Sequence, residues 1–245
     1  MRLSRIFVEQ PLAVGLKIQL DTAASHYIRN VLRLKSDTLV LLFNGEEQID
    51  FNASLGLEGK NTFATITNTN SQTSESTLKT EIIQGLSRND HLDWMIQKAT
   101  ELGVHKISIF NAEHSQIPIK ASNLNKKLLH WRAISIKACE QSGRHQPPQI
   151  EFNYDLQKTL VDVKNREGLF LLNFSGRHLK SHLMSSDNRF PISILLGPEG
   201  GLSKTEINRA LEKGFVSAQL GPRILRTETA AITALALTQA IKGDI

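Results

Sequence analysis

LLGPEGGLSKTE, at residues 195–206, is the stretch that decides how this chain is read. The apolar strand Ile194-Leu195-Leu196 gives way to Gly197-Pro198-Glu199-Gly200-Gly201, and Ser203 with Glu206 three residues on is a capping box that opens a helix. The same order recurs further on. A strand starting at Phe215 runs into Leu220-Gly221-Pro222-Arg223-Ile224-Leu225-Arg226, and a helix of Ala, Leu, Ile and Thr follows over 228–241. In open α/β sheets, ligands sit at loops leaving the carboxyl ends of strands. Glycines at such points permit positive φ and a close approach to the backbone, while prolines stiffen the loop before a ligand arrives. Either loop alone reads as an ordinary tight turn; two together point to a site.

Outward from these loops the alternation continues. Strands are expected at 78–84, 105–110 and 168–174, with helices over 89–102 and 123–141. The first helix carries Leu92, Ile96, Ala99 and Leu102 on one face and Gly103 where a C-terminal cap belongs. Alternating strands and helices mean an α/β domain with a mainly parallel sheet. The front of the chain differs. Residues 6–8, 38–43 and 63–67 are strand-like, and Tyr27, Ile28, Val31, Leu32 and Leu34 suggest one helix over 25–34. NTNSQTSEST at 68–77 has no apolar residue and reads as a linker. Two domains follow: a β-rich one over 1–72 and an α/β one over 73–245.

The 245 residues, 40% of them apolar and 22% charged, are enough for a real core. A net charge of +5 leans toward a polyanionic partner. Residues 1–35 hold six bases (Arg2, Arg5, Lys17, Arg29, Arg33, Lys35) against Glu9 and Asp21, whereas 36–75 hold one base and six acids. Cys139, the lone cysteine, rules out an internal disulfide and fits a reducing compartment. No apolar segment follows Arg2 and Arg5 as a signal peptide requires, and the longest apolar run, Leu39–Phe43, is far short of a membrane span. A soluble cytoplasmic protein is expected. No two of the 15 glycines lie two residues apart, which excludes the dinucleotide fingerprint and the usual glycine signature of doubly wound methyltransferases. P-loop, G-x-S-x-G and H-E-x-x-H motifs are absent as well. His178 and His182 share helical spacing but lack a third ligand nearby, so they read as loop histidines and no metal is expected.

Six stretches carry a resemblance: LLGPEGGLSKTE at 195–206, LGPRILRTETAAITAL at 220–235, ACEQSGR at 138–144, IQKATELGV at 96–104, LSRIFV at 3–8 and HYIRNVLRLKSDTLVLLFNG at 26–45. They resemble the ribosomal RNA small subunit methyltransferase E family of the knotted SPOUT methyltransferases, over nearly the whole chain. One departure is His114-Ser115, where that family more often has Arg before Ser. The resemblance implies a trefoil-knotted α/β domain behind a PUA-like RNA-binding domain, working as a homodimer. It implies S-adenosylmethionine as methyl donor and N3 of a uridine near the decoding centre of small-subunit (16S) ribosomal RNA as acceptor. Rival readings are a transfer RNA 2′-O-methyltransferase of the same superfamily, a non-catalytic RNA-binding or assembly protein, and a phosphate-binding enzyme using GPEGG.

On this reading Leu196, Gly197, Glu199, Gly200 and Gly201 of one loop, with Leu220, Gly221, Ile224, Leu225 and Arg226 of the other, wrap the cofactor. Leu172 closes the pocket. Glu140 is the candidate base for the uracil N3–H and Arg144 the candidate stabiliser of the anion. Arg5, Arg29 and Arg33 are expected to grip phosphates. Lys98, with Glu101, belongs either to the acceptor pocket or to a pair along its helix. Arg226 and Glu228 flank a helix start, where a carboxylate meets the dipole. Ala230, Ala231 and Ala234 are expected at a dimer interface.

Overall fold

The computed structural model describes residues 3–71, 74–163, 168–185 and 191–245. It divides into two compact units: Met1–Glu75 with Cys139–Pro147, and Ser76–Ala138 with Pro148–Ile245. The expected boundary between 72 and 73 lies outside the described residues.

Unit 1 contains β1 (Ser4–Phe7), β2 (Lys17–Gln19), α1 (Thr22–His26), β3 (Leu39–Phe43), β4 (Asp50–Glu58) and β5 (Asn61–Asn70). Its sheet runs β1-β3-β4-β5-β2; β1 and β3 are parallel and the other pairs antiparallel. Period-2 alternation buries Val40 and Leu42, then Phe51, Ala53 and Leu55, then Ala64 and Ile66 on one face, with Ile6 and Ile28 completing that core. The helix expected over 25–34 starts earlier. Asp21 caps it by accepting from the Ala24 amide, and it widens into a π-turn over Tyr27–Val31. Arg33 then ends it at φ +53°, and Val31 points to solvent. Asn68–Asn70, expected in the linker, still pair with Asp50–Asn52. Polar strand ends satisfy their backbone in a ladder as well as apolar ones do, so composition misplaced that edge.

Unit 2 follows the order β6 (Thr80–Gly85), α2 (Asn89–Glu101), β7 (Lys106–Phe110), α3 (Ala121–Ser142), β8 (Gln149–Asn153), α4 (Leu156–Thr159), β9 (Leu169–His178), α5 (Leu179–Met184), β10 (Ile192–Leu196), α6 (Lys204–Glu212), β11 (Val216–Gln219) and α7 (Thr227–Lys242). The end of α3 and the loop after it group with unit 1. All six strands are parallel, in the order β11-β9-β10-β6-β7-β8. Helices cover both faces, which is why β6 and β10 are buried at every position. Ile82, Ile194 and Phe170 face α2, α5 and α7 through Leu92, Met95, Leu179 and Leu235. Their neighbours Ile83, Leu195 and Leu171 face α4 and α6 through Leu156 and Ala210.

The expected capping box at α6 is present in both halves: Ser203 accepts from the Glu206 amide and Glu206 from the Ser203 amide. Strand β8 and helices α4 and α5 were not read from sequence. His182 therefore lies in α5, not in a loop, with its ring 5.6 Å from Phe170. Ala231 and Ala234, expected at a dimer interface, are buried in this chain's own core, where their small side chains let α7 pack closely. No described helix is long and apolar enough to cross a membrane.

Candidate functional site

A pocket opens at the carboxyl ends of β9, β10 and β11, and a break in strand pairing makes it. Val216 and Ser217 of β11 sit opposite Phe170 and Leu171 of β9, but the next partner of β11, Ala218, sits opposite Arg177. Residues 172–176 are thereby thrown out of the ladder, and Leu172, Asn173 and Phe174 become one wall. Gly176 makes the return possible. At φ +105° it passes so close to Ser217 that a Cβ there would lie 2.3 Å from the Ser217 carbonyl oxygen. The other walls are Leu196 and Gly197 after β10, and Leu220, Gly221, Arg223, Leu225, Thr227 and Ala230 after β11. The empty space is about 610 Å³ including its open mouth, enough for a ligand of several hundred daltons. Leu172, Leu196, Ala218 and Leu225 give it an apolar lining, with Asn173, Thr227 and Arg223 as polar points.

Three chain segments are tied together beneath the pocket by one side chain that the sequence reading missed. Gln84, at the end of β6, donates from Nε2 to the Gly85 carbonyl (2.8 Å), the Gly197 carbonyl (3.0 Å) and Thr227 Oγ1 (2.9 Å). Thr227 in turn donates to the Gly197 carbonyl at 2.7 Å. Gln84 and Thr227 are both buried, so these bonds replace water that cannot reach them. The apolar run of β6 masked Gln84; a buried amide at a strand's carboxyl end was the available signal. Gly197 has no freedom to be anything else, since a Cβ on it would lie 2.6 Å from the Gly201 carbonyl carbon.

The other expected cofactor residues are placed differently. Glu199 faces α2: its carboxylate accepts from the Arg88 amide and meets His91 Nδ1, both at 3.0 Å. Burial alone raises that carboxyl, but the Arg88 amide and His91 outweigh it and hold it below its ordinary value. The Gly200 carbonyl meets His114 Nδ1 at 3.1 Å, and Gly201, at φ +71°, closes a turn onto the Pro198 carbonyl. These three shape the loop and are not part of the pocket wall. Ile224 is 83% exposed, and Arg226 is the exposed N-cap of α7. Glu228 is buried in the first turn of α7, 3.7 Å from His91. Lys98 pairs with Glu101 at 2.8 Å, the helical pair of its two readings.

In unit 1 the expected RNA and catalytic residues are mostly consumed by structure. Arg5 is a correction: its guanidinium is buried, binds Asp50 at 2.7 Å, donates to the carbonyls of Cys139 and Arg144, and lies over the Phe43 ring. A phosphate cannot reach it there. Arg144 is likewise buried and fixed by Glu75 at 2.9 Å, while the amides of His145 and Gln146 donate to the same carboxylate. Burial raises Glu75, but the Arg144 charge and those amides overcome it and leave the carboxyl below its ordinary value. Asp50 is held low in the same way by His145 and Arg5 against its own burial. Glu140 accepts from the Phe7 amide at 3.2 Å. Both catalytic candidates thus hold the 139–147 segment against Phe7 and Glu75 within unit 1, which spacing in sequence could not reveal. Arg29 staples the β4–β5 turn, donating to Thr62, Gly59 and Asn61, whereas Arg33 is exposed. Burial pushes the Cys139 thiol up to about 12 and leaves it inert. Among the described residues no cluster of three or more His, Cys, Asp or Glu is arranged to hold a metal.

Comparison with known proteins places this geometry. An RNA methyltransferase domain model matches residues 74–239. The ribosomal RNA small subunit methyltransferase E of Buchnera aphidicola from Schizaphis graminum is 32% identical over 244 residues, covering 100% of this chain and 98% of that protein. Two solved structures cover the whole of both chains. One is a methyltransferase from Legionella pneumophila in complex with the cofactor SAM (TM-score 0.92, 32% identity). The other is a ribosomal RNA small subunit methyltransferase E from Neisseria gonorrhoeae bound to S-adenosylmethionine (TM-score 0.89, 30% identity). With its two glycine loops meeting at one pocket and full-length kinship on both sequence and structure, the chain belongs to the ribosomal RNA small subunit methyltransferase E family.

Proposed function

We propose that this protein transfers a methyl group from S-adenosylmethionine to 16S ribosomal RNA of the small subunit, at N3 of one uridine. The observation that carries the reading is the pocket of 172–174, 196–197 and 220–227, which belongs to a chain whose full-length relatives hold S-adenosylmethionine. The lining suits that ligand. Apolar Leu172, Leu196, Ala218 and Leu225 match an adenine ring, Arg223 offers a cation for a carboxylate, and Gly221 leaves open space where a Cβ would stand.

When bound, S-adenosylmethionine supplies a methyl group on a sulfonium, already activated for in-line displacement. The protein's task is therefore chiefly positioning. Gln84 and Thr227 fix the Gly197 carbonyl and the start of α7 before any ligand arrives, so little ordering remains to be done on binding. The uracil N3–H must lose its proton, and neither Glu140 nor Arg144 is free to assist from its present contacts. A reaction in which positioning dominates fits this arrangement better than one built on a strong general base.

The finer family features belong to the same reading. A trefoil knot is supported by the way β6, the loop after β10 and the start of α7 converge on Gln84, with β10 set between β6 and β9. Unit 1 is taken as the PUA-like RNA-binding domain and unit 2 as the SPOUT domain, assembled as a cytoplasmic homodimer. The test is to incubate the protein with unmodified small subunits and, in a parallel reaction, with unmodified transfer RNA, each with methyl-labelled S-adenosylmethionine, then identify the modified nucleoside. Label on 3-methyluridine from 16S RNA supports the reading; label on a ribose 2′-oxygen of transfer RNA, or none, overturns it.

A further inference from the structure

We propose that a second cleft beside the pocket, between residues 86–90 and 116–127, binds the phosphates of the single-stranded RNA that flanks the acceptor nucleotide. This inference rests on the reading above that the substrate is RNA, and it adds the surface that holds it. The position comes from strand register. Strand β6 pairs with β10 on one side and β7 on the other, with Gln84 opposite Leu196 and Gly85 opposite Phe110. Leu86 and Gly197 therefore leave the same end of the sheet from adjacent strands. The 197–201 loop stands between the two cavities. Pro198 packs on Gly85, where a Cβ would lie 2.6 Å from the proline ring, and Glu199 holds the Arg88 amide. The donor pocket lies on one side of that loop and the cleft on the other.

The chemistry of the cleft suits a polyanion. Its empty space is about 1030 Å³ including the open side, and Arg88, Lys120 and Lys127 line it against a single acid of the lining, Asp90. Lys127 is steadied by Asn89 Oδ1 at 2.6 Å, so its ammonium is held at the wall with less rotamer freedom to lose. The Arg88 guanidinium is more than half exposed, 3.9 Å from Asp90, and Asn123 adds a neutral donor. Helix α2 begins in this wall at Arg88, whose own side chain makes no cap bond; Asp90 lies in its first turn and Glu199 takes the Arg88 amide. Cations and amides in a groove hold a nucleic-acid backbone without reading its sequence. The cleft and the donor pocket lie at the ends of neighbouring strands of one sheet, so an RNA strand held in the first runs toward the second.

The test is binding of unmodified small subunits as a function of salt, by the Lys120→Glu/Lys127→Glu protein and by a control, Lys126→Glu/Lys158→Glu. The control makes the same charge change at lysines outside the lining. The wall variant is expected to lower the slope of log affinity against log salt by about 1.4, at about 0.7 per phosphate contact, which is about tenfold in affinity at 0.15 M salt. The control is expected to stay within threefold of wild type. A neutral variant, Lys120→Gln/Lys127→Gln, should lose the same slope, and all three should keep wild-type affinity for S-adenosylmethionine, which shows that the fold stands. Wild-type slope in the wall variants, or an equal loss in the control, overturns the cleft. Wild-type protein that binds no S-adenosylmethionine would instead overturn the function proposed above, a separate result.

Discussion

Thr227→Val removes one hydroxyl and keeps the shape, so it isolates the tie beneath the pocket. In the native protein that hydroxyl donates to the Gly197 carbonyl at 2.7 Å and accepts from Gln84 Nε2 at 2.9 Å. Both bonds are buried, and each contributes about 0.5–1.5 kcal/mol net, so the variant should lose about 1–3 kcal/mol of stability. The functional loss follows from the same bonds. Without them the Gly197 carbonyl keeps only its bond from Gln84, and the 196–197 wall must be ordered by the ligand itself. If about 1.4 kcal/mol of that ordering falls on binding, S-adenosylmethionine affinity drops tenfold. Titration calorimetry measures this directly, with urea unfolding on the same samples. Thr227→Ser retains the hydroxyl and should stay within about twofold in affinity. A Thr227→Val protein that binds the donor as wild type does, while losing stability, would refute the claim that this tie preorganises the pocket.

Gly197→Ala places a Cβ 2.6 Å from Gly201 and should cost at least tenfold in S-adenosylmethionine affinity by calorimetry, with the far-ultraviolet circular dichroism unchanged. Gly221→Trp, at a pocket-wall position with φ +138° and open space where its side chain would go, should abolish donor binding; retained affinity would remove this loop from the site. Acid should strike unit 1 through Glu75 and Asp50. Both carboxyls are lowered in the folded state, so their stabilisation is complete above their ordinary values near 4 and is lost as pH falls through the lowered ones. Urea unfolding between pH 6 and pH 2 should therefore show a smaller acid loss in Glu75→Gln than in wild type, from a lower starting stability; parallel curves would refute it. Arg29→Ala should destabilise the chain by about 1–2 kcal/mol through the β4–β5 turn, whereas Arg33→Glu should leave stability unchanged and weaken binding of small subunits at low salt.

Much of the fold could be read from the chain because its signals are local. The glycine-broken apolar run at 194–201, the capping box at Ser203 and Glu206, and the apolar face of Leu92, Ile96 and Ala99 each report on structure within a few residues. Leu196, Gly197, Leu220, Gly221 and Leu225, carried by the two loops, all reach one pocket for that reason. What escaped depends on partners distant in sequence. Arg5 and Arg144 look like surface cations until Asp50 and Glu75 are found beside them, 45 and 69 residues away. The excursion at 172–176 exists only because β11 skips from Leu171 to Arg177 of its neighbour, and Gln84 joins residues more than a hundred positions apart. Register and side-chain pairing across a parallel sheet leave little trace in composition.

The most direct test of the account is a crystal structure of the protein with S-adenosylhomocysteine, the demethylated donor. It should lie between Leu172, Leu196, Gly221 and Leu225, with the Gln84 and Thr227 bonds to Gly197 intact. Ligand density elsewhere on the molecule, with these walls empty, would contradict it.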